Sequence, residues 1–103
     1  MADDAHVDNR AVLAALAEPR RATLVRVLVD NQLCVRDLVA QTGLAQPLVS
    51  HHLRVLREAL LVESTACANL TVYRVRADTL SVLAQRLAAL AEQAAATARV
   101  QPC

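Results

Sequence analysis

The sequence predicts a mainly α-helical domain carrying one small β-hairpin, in the order α-α-α-α-β-β-α. Three observations lead there. Leu, Val and Ala dominate a chain that is 55% hydrophobic and has Tyr73 as its only aromatic residue, the composition of a core built from helix-forming side chains. One glycine and three prolines leave long stretches without a helix breaker. Apolar residues recur every three or four positions through most of the chain, and only residues 60–76 switch to clustered β-branched side chains around a short turn.

The chain is read as one folded unit over residues 9–98, between a flexible acidic tail at 1–8 and a flexible C-terminal tail at 99–103. Val12, Leu13 and Leu16 at helical spacing predict a first helix over 9–17. Pro19 suits the first turn of a second helix over about 19–29, where its missing donor costs nothing, and Glu18 favours the helix dipole. Leu24, Val25 and Leu28 would face inward, and "DNQ" at 30–32 reads as a turn. A short third helix over about 35–41 ends at Gly43, a left-handed stop. A fourth begins at Gln46 and Pro47. Helix, glycine turn and helix make a helix-turn-helix, an arrangement that an ordinary helical hairpin shares. "LLVEST" (60–65) and "LTVYRVR" (70–76), joined by "ACAN", read as the β-hairpin. Asp78 then caps a last helix in which Leu80, Leu83, Leu87, Leu90 and Ala94 recur at heptad spacing. Alanines at 84, 88, 89, 91 and 95 permit close approach of another helix, and the chain has few other elements to cover so long a face. A homodimer is expected.

The fourth helix separates a hairpin from a DNA reader by its surface chemistry. Val49, Leu53, Leu56 and Leu60 fall on one side, and Gln46, Pro47, Ser50, His51, Arg54 and Arg57 on the other. Amide, hydroxyl, imidazole and guanidinium groups are those that pair with base edges and phosphates. The adjacent histidines divide: His51 goes with the polar set, and His52 lies at the margin of the apolar stripe as a core-edge residue. Neighbours on a helix project about 100° apart, so one metal ion cannot easily take both rings, nor can Ser50 and His51 form a nucleophile and base. Charge follows the same division. Residues 1–18 hold one arginine against four acids, 19–57 six against two, and 58–103 four against four. The basic centre coincides with the helix-turn-helix.

Several classes are set aside. No glycine-rich phosphate loop, paired acids or triad points to an enzyme. No apolar run reaches the roughly 20 residues of a bilayer span, and the N-terminus is acidic, so a cytoplasmic location without membrane contact is expected. Cys34, Cys67 and Cys103 are odd in number and widely spaced, unlike a disulfide framework.

The segments "LAEPRRATLVRVL" (16–28), "LCVRDLVAQTGLAQPLVSHHLRVLREALLV" (33–62) and "VYRV" (72–75) resemble the ArsR/SmtB family of winged-helix metalloregulators over roughly residues 9–95. The resemblance implies a winged helix-turn-helix homodimer held by its first and last helices, with Val12, Leu16, Leu80, Leu83, Leu87, Leu90 and Ala94 at the interface. It implies double-stranded operator DNA as partner, read by Gln46, Pro47, Ser50 and His51 with Arg54 and Arg57 near phosphates, and repression relieved by an inducer. Arg21 matches an arginine that is structural or DNA-facing. This sequence departs from the family in several places. Ala45 stands where serine often caps the fourth helix, a role left to Thr42 or unfilled. Leu60 stands where glycine is usual. The wing, "TACANLT" (65–71), lacks arginine and lysine.

Neither of the family's metal patterns is intact. Cys34 matches the first sulfur of a Cys-x-Cys pair whose second position is Arg36, and beyond Asp78 the expected ligand positions hold Leu80, Ala91 and Ala94. Folding needs no cofactor. The effector is read as a metal ion or metalloid, with Cys34 and Cys103, within one chain or across the dimer, as candidate ligands that His6 of the other tail could join; the alternatives are reversible thiol oxidation, or three thiols with no sensing role. The expected function is a dimeric, sequence-specific repressor, and the competing class is a winged-helix protein-interaction module without DNA binding.

Overall fold

The computed structural model describes residues 7–103. Along the chain run α1 (Asn9–Ala17), α2 (Pro19–Asp30), β1 (Leu33–Cys34), α3 (Val35–Thr42), α4 (Gln46–Glu58), β2 (Val62–Cys67), β3 (Leu70–Val75) and α5 (Ala77–Ala98). The predicted order is present, with one addition. Leu33 and Cys34 pair antiparallel with Tyr73 and Val72, so the hairpin is the larger part of a three-stranded sheet ordered β1-β3-β2. Two residues are too few to show a period, and the partner strand lies far along the chain, which is why the sequence reads only a turn there.

Acidic side chains start the first two helices. Asp8 accepts from the backbone N–H of Arg10 at 2.9 Å, and Glu18 from those of Arg20 and Arg21 at 2.7 and 3.1 Å. Against the upward pull of its own desolvation, those two N–H bonds, with the charges of His52 and Arg20, hold the Glu18 carboxyl below its ordinary range. Val7 packs against the core as well, so the folded unit includes the last two residues assigned to the acidic tail. Positions 1–6 of that tail, His6 among them, lie outside the described residues. The last five residues, 99–103, are exposed and follow the end of α5.

Leu24 and Leu28 of α2, Leu38 of α3, and Val49, Leu53 and Leu56 of α4 meet Leu61 and Val62 in one core. Val12 of α1 is fully enclosed in it and Leu83 of α5 nearly so. That corrects their place in a dimer interface: both are spent on the protomer's own interior, and the large apolar residue α1 leaves exposed is Leu13.

Among the described residues two non-glycine residues take a left-handed backbone, and each ends an element. Leu60 has φ 65. The N–H of Leu60 bonds to the Arg57 carbonyl and that of Leu61 to the Leu56 carbonyl, both at 2.9 Å, the paired bonds of a Schellman stop. Leu60 was expected on the inward stripe of the fourth helix. The helix ends at Glu58 instead, Leu60 is only half-buried, and the stop turns Ala59 and Leu61 inward. Thr79, fully buried, donates from its hydroxyl to the Leu60 carbonyl at 2.6 Å and ties this stop to α5.

Ala68 is the second, with φ 57. Cys67 and Leu70 pair across the hairpin, leaving Ala68 and Asn69 as a two-residue turn with positive φ at its first position, where a II′ turn places glycine. Ala68 is exposed and its methyl packs on nothing that burial would reward. Ala68→Gly should therefore stabilise the protein by about 0.5–1 kcal/mol, read as a higher urea midpoint with unchanged slope.

The start of α5 is anchored by Thr79 and Leu83, with Leu80 half-buried beside them. Its N-cap is Arg76, so Asp78 is a first-turn acid and does not cap the helix as expected. Arg76 donates to Asp78 at 2.7 Å and holds that carboxyl below its usual range. Past Leu83 every residue of α5 is exposed, including Leu87 at 49% and Leu90 at 62%. About 22 Å of helix leaves the body with an apolar stripe uncovered.

Candidate nucleic-acid interface

Gly43 closes α3 with φ 75, its N–H bonding to the Val39 carbonyl at 2.9 Å. A Cβ there would meet nothing within 4 Å, so the position needs glycine for its backbone angle and not for space. Two residues later α4 starts at an uncapped Ala45. Thr42 does not supply the cap: its hydroxyl donates to the Leu38 carbonyl at 2.7 Å and accepts from the Leu44 N–H at 3.3 Å, which closes the turn instead. The N–H groups of Leu48 and Val49 both reach the Ala45 carbonyl at 3.0 Å, and Pro47 has no N–H to satisfy. The missing serine thus leaves few donors unpaired.

The two faces of α4 separate as its period requires. Val49, His52, Leu53 and Leu56 are buried. Gln46, Pro47, His51, Arg54 and Arg57 are exposed and Ser50 is half-buried at the edge between them. The structure therefore brings all six predicted contact residues to one accessible side of one helix. Among the described residues the ion pairs are Arg74 with Glu63 at 2.6 Å and Arg76 with Asp78 at 2.7 Å, and neither uses Arg54 or Arg57. Those two guanidiniums border a shallow hollow of about 150 Å³ with Glu58 and are available to an anion.

His52 is 4% exposed and belongs to the core side. Its Nδ1 lies 3.3 Å from a guanidinium nitrogen of Arg21, whose Nε donates to the Ala15 carbonyl at 2.9 Å. Arg21 thus links α1, α2 and α4. Sequence reasoning missed this pair, because the two residues lie on different helices and no local spacing connects them.

The hairpin beside α4 is exposed from Ser64 to Thr71 and carries no charge over that span. At its base the exposed Arg74–Glu63 pair is neutral overall.

The sulfur atoms do not gather. Cys34 is buried at the start of α3, its thiol donating to Asp37 at 3.3 Å, whereas Cys67 and Cys103 are exposed. Among the described residues no group of three or more His, Cys, Asp or Glu side chains could hold a metal ion. One buried sulfur already bonded to a carboxylate, with Arg36 next to it, does not fit the family's α3 site. Leu80, Ala91 and Ala94 bring no donor atom to its α5 site. Among the described residues, no helix is long and apolar enough to cross a membrane.

Residues 18–64, which run from the cap of α2 to the start of β2, match the family described as bacterial regulatory protein, arsR family. The HTH-type transcriptional repressor SmtB of Mycobacterium tuberculosis is 40% identical over 63 residues, 61% of this chain and 47% of that protein. The biofilm growth-associated repressor of Agrobacterium fabrum is 34% identical over 77% of this chain and 68% of its own length. The chain belongs to the ArsR family. Its fold agrees: the solution structure of a homodimeric winged helix-turn-helix DNA-binding domain from Mycobacterium bovis superposes with a TM-score of 0.67 at 25% identity, covering 82% of this chain and 79% of that one. In this ArsR-family chain α3 and α4 form the helix-turn-helix and β2 and β3 the wing. The chain spans about half or less of the length of the SmtB-type relatives it matches, 47% and 38% of two of them.

Proposed function

We propose that this ArsR-family protein is a homodimeric transcriptional repressor that reads operator DNA with α4. The observation that carries the reading is the exposed side of α4, where Gln46, Pro47, Ser50, His51, Arg54 and Arg57 lie together and, among the described residues, no carboxylate pairs with Arg54 or Arg57. Gln46, Ser50 and His51 would meet base edges, and Arg54 and Arg57 phosphates. Two copies joined through α5 would present two such helices to successive major grooves. The homodimeric relative from Mycobacterium bovis and the uncovered stripe of α5 both support the second copy.

Band-shift titration against the gene's own promoter at fixed salt tests this, and equal affinity for promoter and random duplex would overturn it. Ser50→Ala and His51→Ala should each weaken specific binding by about 1–3 kcal/mol while leaving the melting temperature within about 2 °C.

The effector of this reading is a metal ion or metalloid bound by thiols. Cys34 and Cys103, from one copy or from two, are its candidate donors, and Cys34 would have to give up its bond to Asp37 and its buried position to serve. Elemental analysis of protein purified without chelator should find stoichiometric metal. Reversible loss of two thiols per chain under mild oxidant, without metal, would favour thiol oxidation as the signal.

A further inference from the structure

One arginine connects the α1–α2 corner to the DNA-reading helix. Arg21 Nε donates to the Ala15 carbonyl in the last turn of α1 at 2.9 Å, and its Nη1 stands 3.3 Å from Nδ1 of His52 on α4. Arginine offers no lone pair, so the second contact is a hydrogen bond only when Nδ1 bears no proton. The neutral ring then carries its proton on Nε2, and Nε2 is buried without a partner among the described residues. A leucine would fill that place without burying an unpaired N–H, so what the imidazole adds is its acceptor for Arg21. The His51 ring lies against it, centroids 5.1 Å apart and planes tilted by 57°. The buried ring therefore touches one on the exposed side of α4.

We propose that Arg21 and neutral His52 form a positioning couple that sets the pose of α4 on the α1–α2 corner, and that adding a proton to His52 breaks the couple and weakens DNA binding. The inference rests on the DNA-binding reading of α4. The proton taken from solvent occupies the Nδ1 lone pair that accepted the Arg21 N–H, and two cations then face each other. Burial pushes His52 below the ordinary imidazole range; Glu18, from the α1–α2 corner, opposes this, and Arg21 and Arg20 of α2 with His51 of α4 reinforce it. Below an unfolded value of about 6.5 the unfolded chain binds the proton more readily than the folded one. The stability tied to this ring is thus complete above about pH 6.5 and lost as pH falls through the folded value.

The test compares operator affinity between pH 8 and pH 5 in wild type and His52→Asn, whose side-chain oxygen keeps an acceptor near the position of Nδ1 but does not titrate. His51 is present in both proteins, so the ratio reads the substitution at position 52. His52→Asn should bind increasingly better than wild type as pH falls from 8 to 5, the ratio of their affinities rising steadily across the range. Arg21→Met supplies a readout that needs no DNA: the NMR titration midpoint of His52 should rise when the neighbouring cation is removed. A constant affinity ratio across the range, or a His52 midpoint unmoved by Arg21→Met, would overturn the couple. If wild type binds no duplex at pH 8, the reading of α4 has failed instead, and the NMR midpoint alone decides whether the couple exists.

Discussion

Replacing Leu87 and Leu90 together by lysine should leave a folded monomer that no longer holds operator DNA at nanomolar concentrations. The two side chains are 49% and 62% exposed and lie beyond Leu83, the last residue of α5 buried in the body, so the protomer's core does not depend on them. In a dimer joined along this helix four such leucines would be buried, each contributing about 1.5–3 kcal/mol, and the lysines would add repulsion between copies. The dimer dissociation constant should rise by at least about a thousandfold. Operator affinity falls with it, because each α4 must then bind its half-site alone without the high local concentration a partner provides. Sedimentation velocity and far-ultraviolet circular dichroism read the two parts separately. A double variant that still sediments as a dimer would remove α5 from the interface, and one that loses most of its helix would mean the stripe is needed within the protomer.

The largest loss of stability is expected from Leu56→Ala. Leu56 has no exposed surface, sits among Val49, Leu53 and Leu61, and its carbonyl receives the Leu61 N–H that ends α4. Truncation removes packing from the buried face of the helix and leaves a cavity, at a cost of about 3 kcal/mol. At 4–8 °C per kcal/mol for a domain of this size, the melting temperature should drop by roughly 15 °C at fixed protein concentration. A cost below about 1 kcal/mol would mean that the α4 stripe is not the centre of the core.

What the sequence made legible is what helical periodicity can encode. The buried set Val49, Leu53 and Leu56, the opposite polar set and the left-handed Gly43 all follow from spacing and from the chemistry of one residue type. The reading of Leu60 differed because the usual signal for a helix stop, glycine, is absent; a leucine continuing the stripe is indistinguishable from one that ends it. The resemblance places Val12 at the interface, and spacing alone cannot correct it, because a helix with apolar residues on adjacent sides does not say which side the body takes. β1 and the Arg21–His52 contact depend on chain segments that meet only after folding, so no window of sequence contains them.

The wing's lack of charge from Ser64 to Thr71 bears on how such a repressor would spend its time in the cell. Retention on arbitrary chromosomal sequence is almost wholly a matter of counterions released by cations, and a bare loop releases none. With only the arginines of α4 to hold it there, fewer copies would be sequestered far from their target than with a basic wing, so a smaller pool of molecules could keep a promoter occupied.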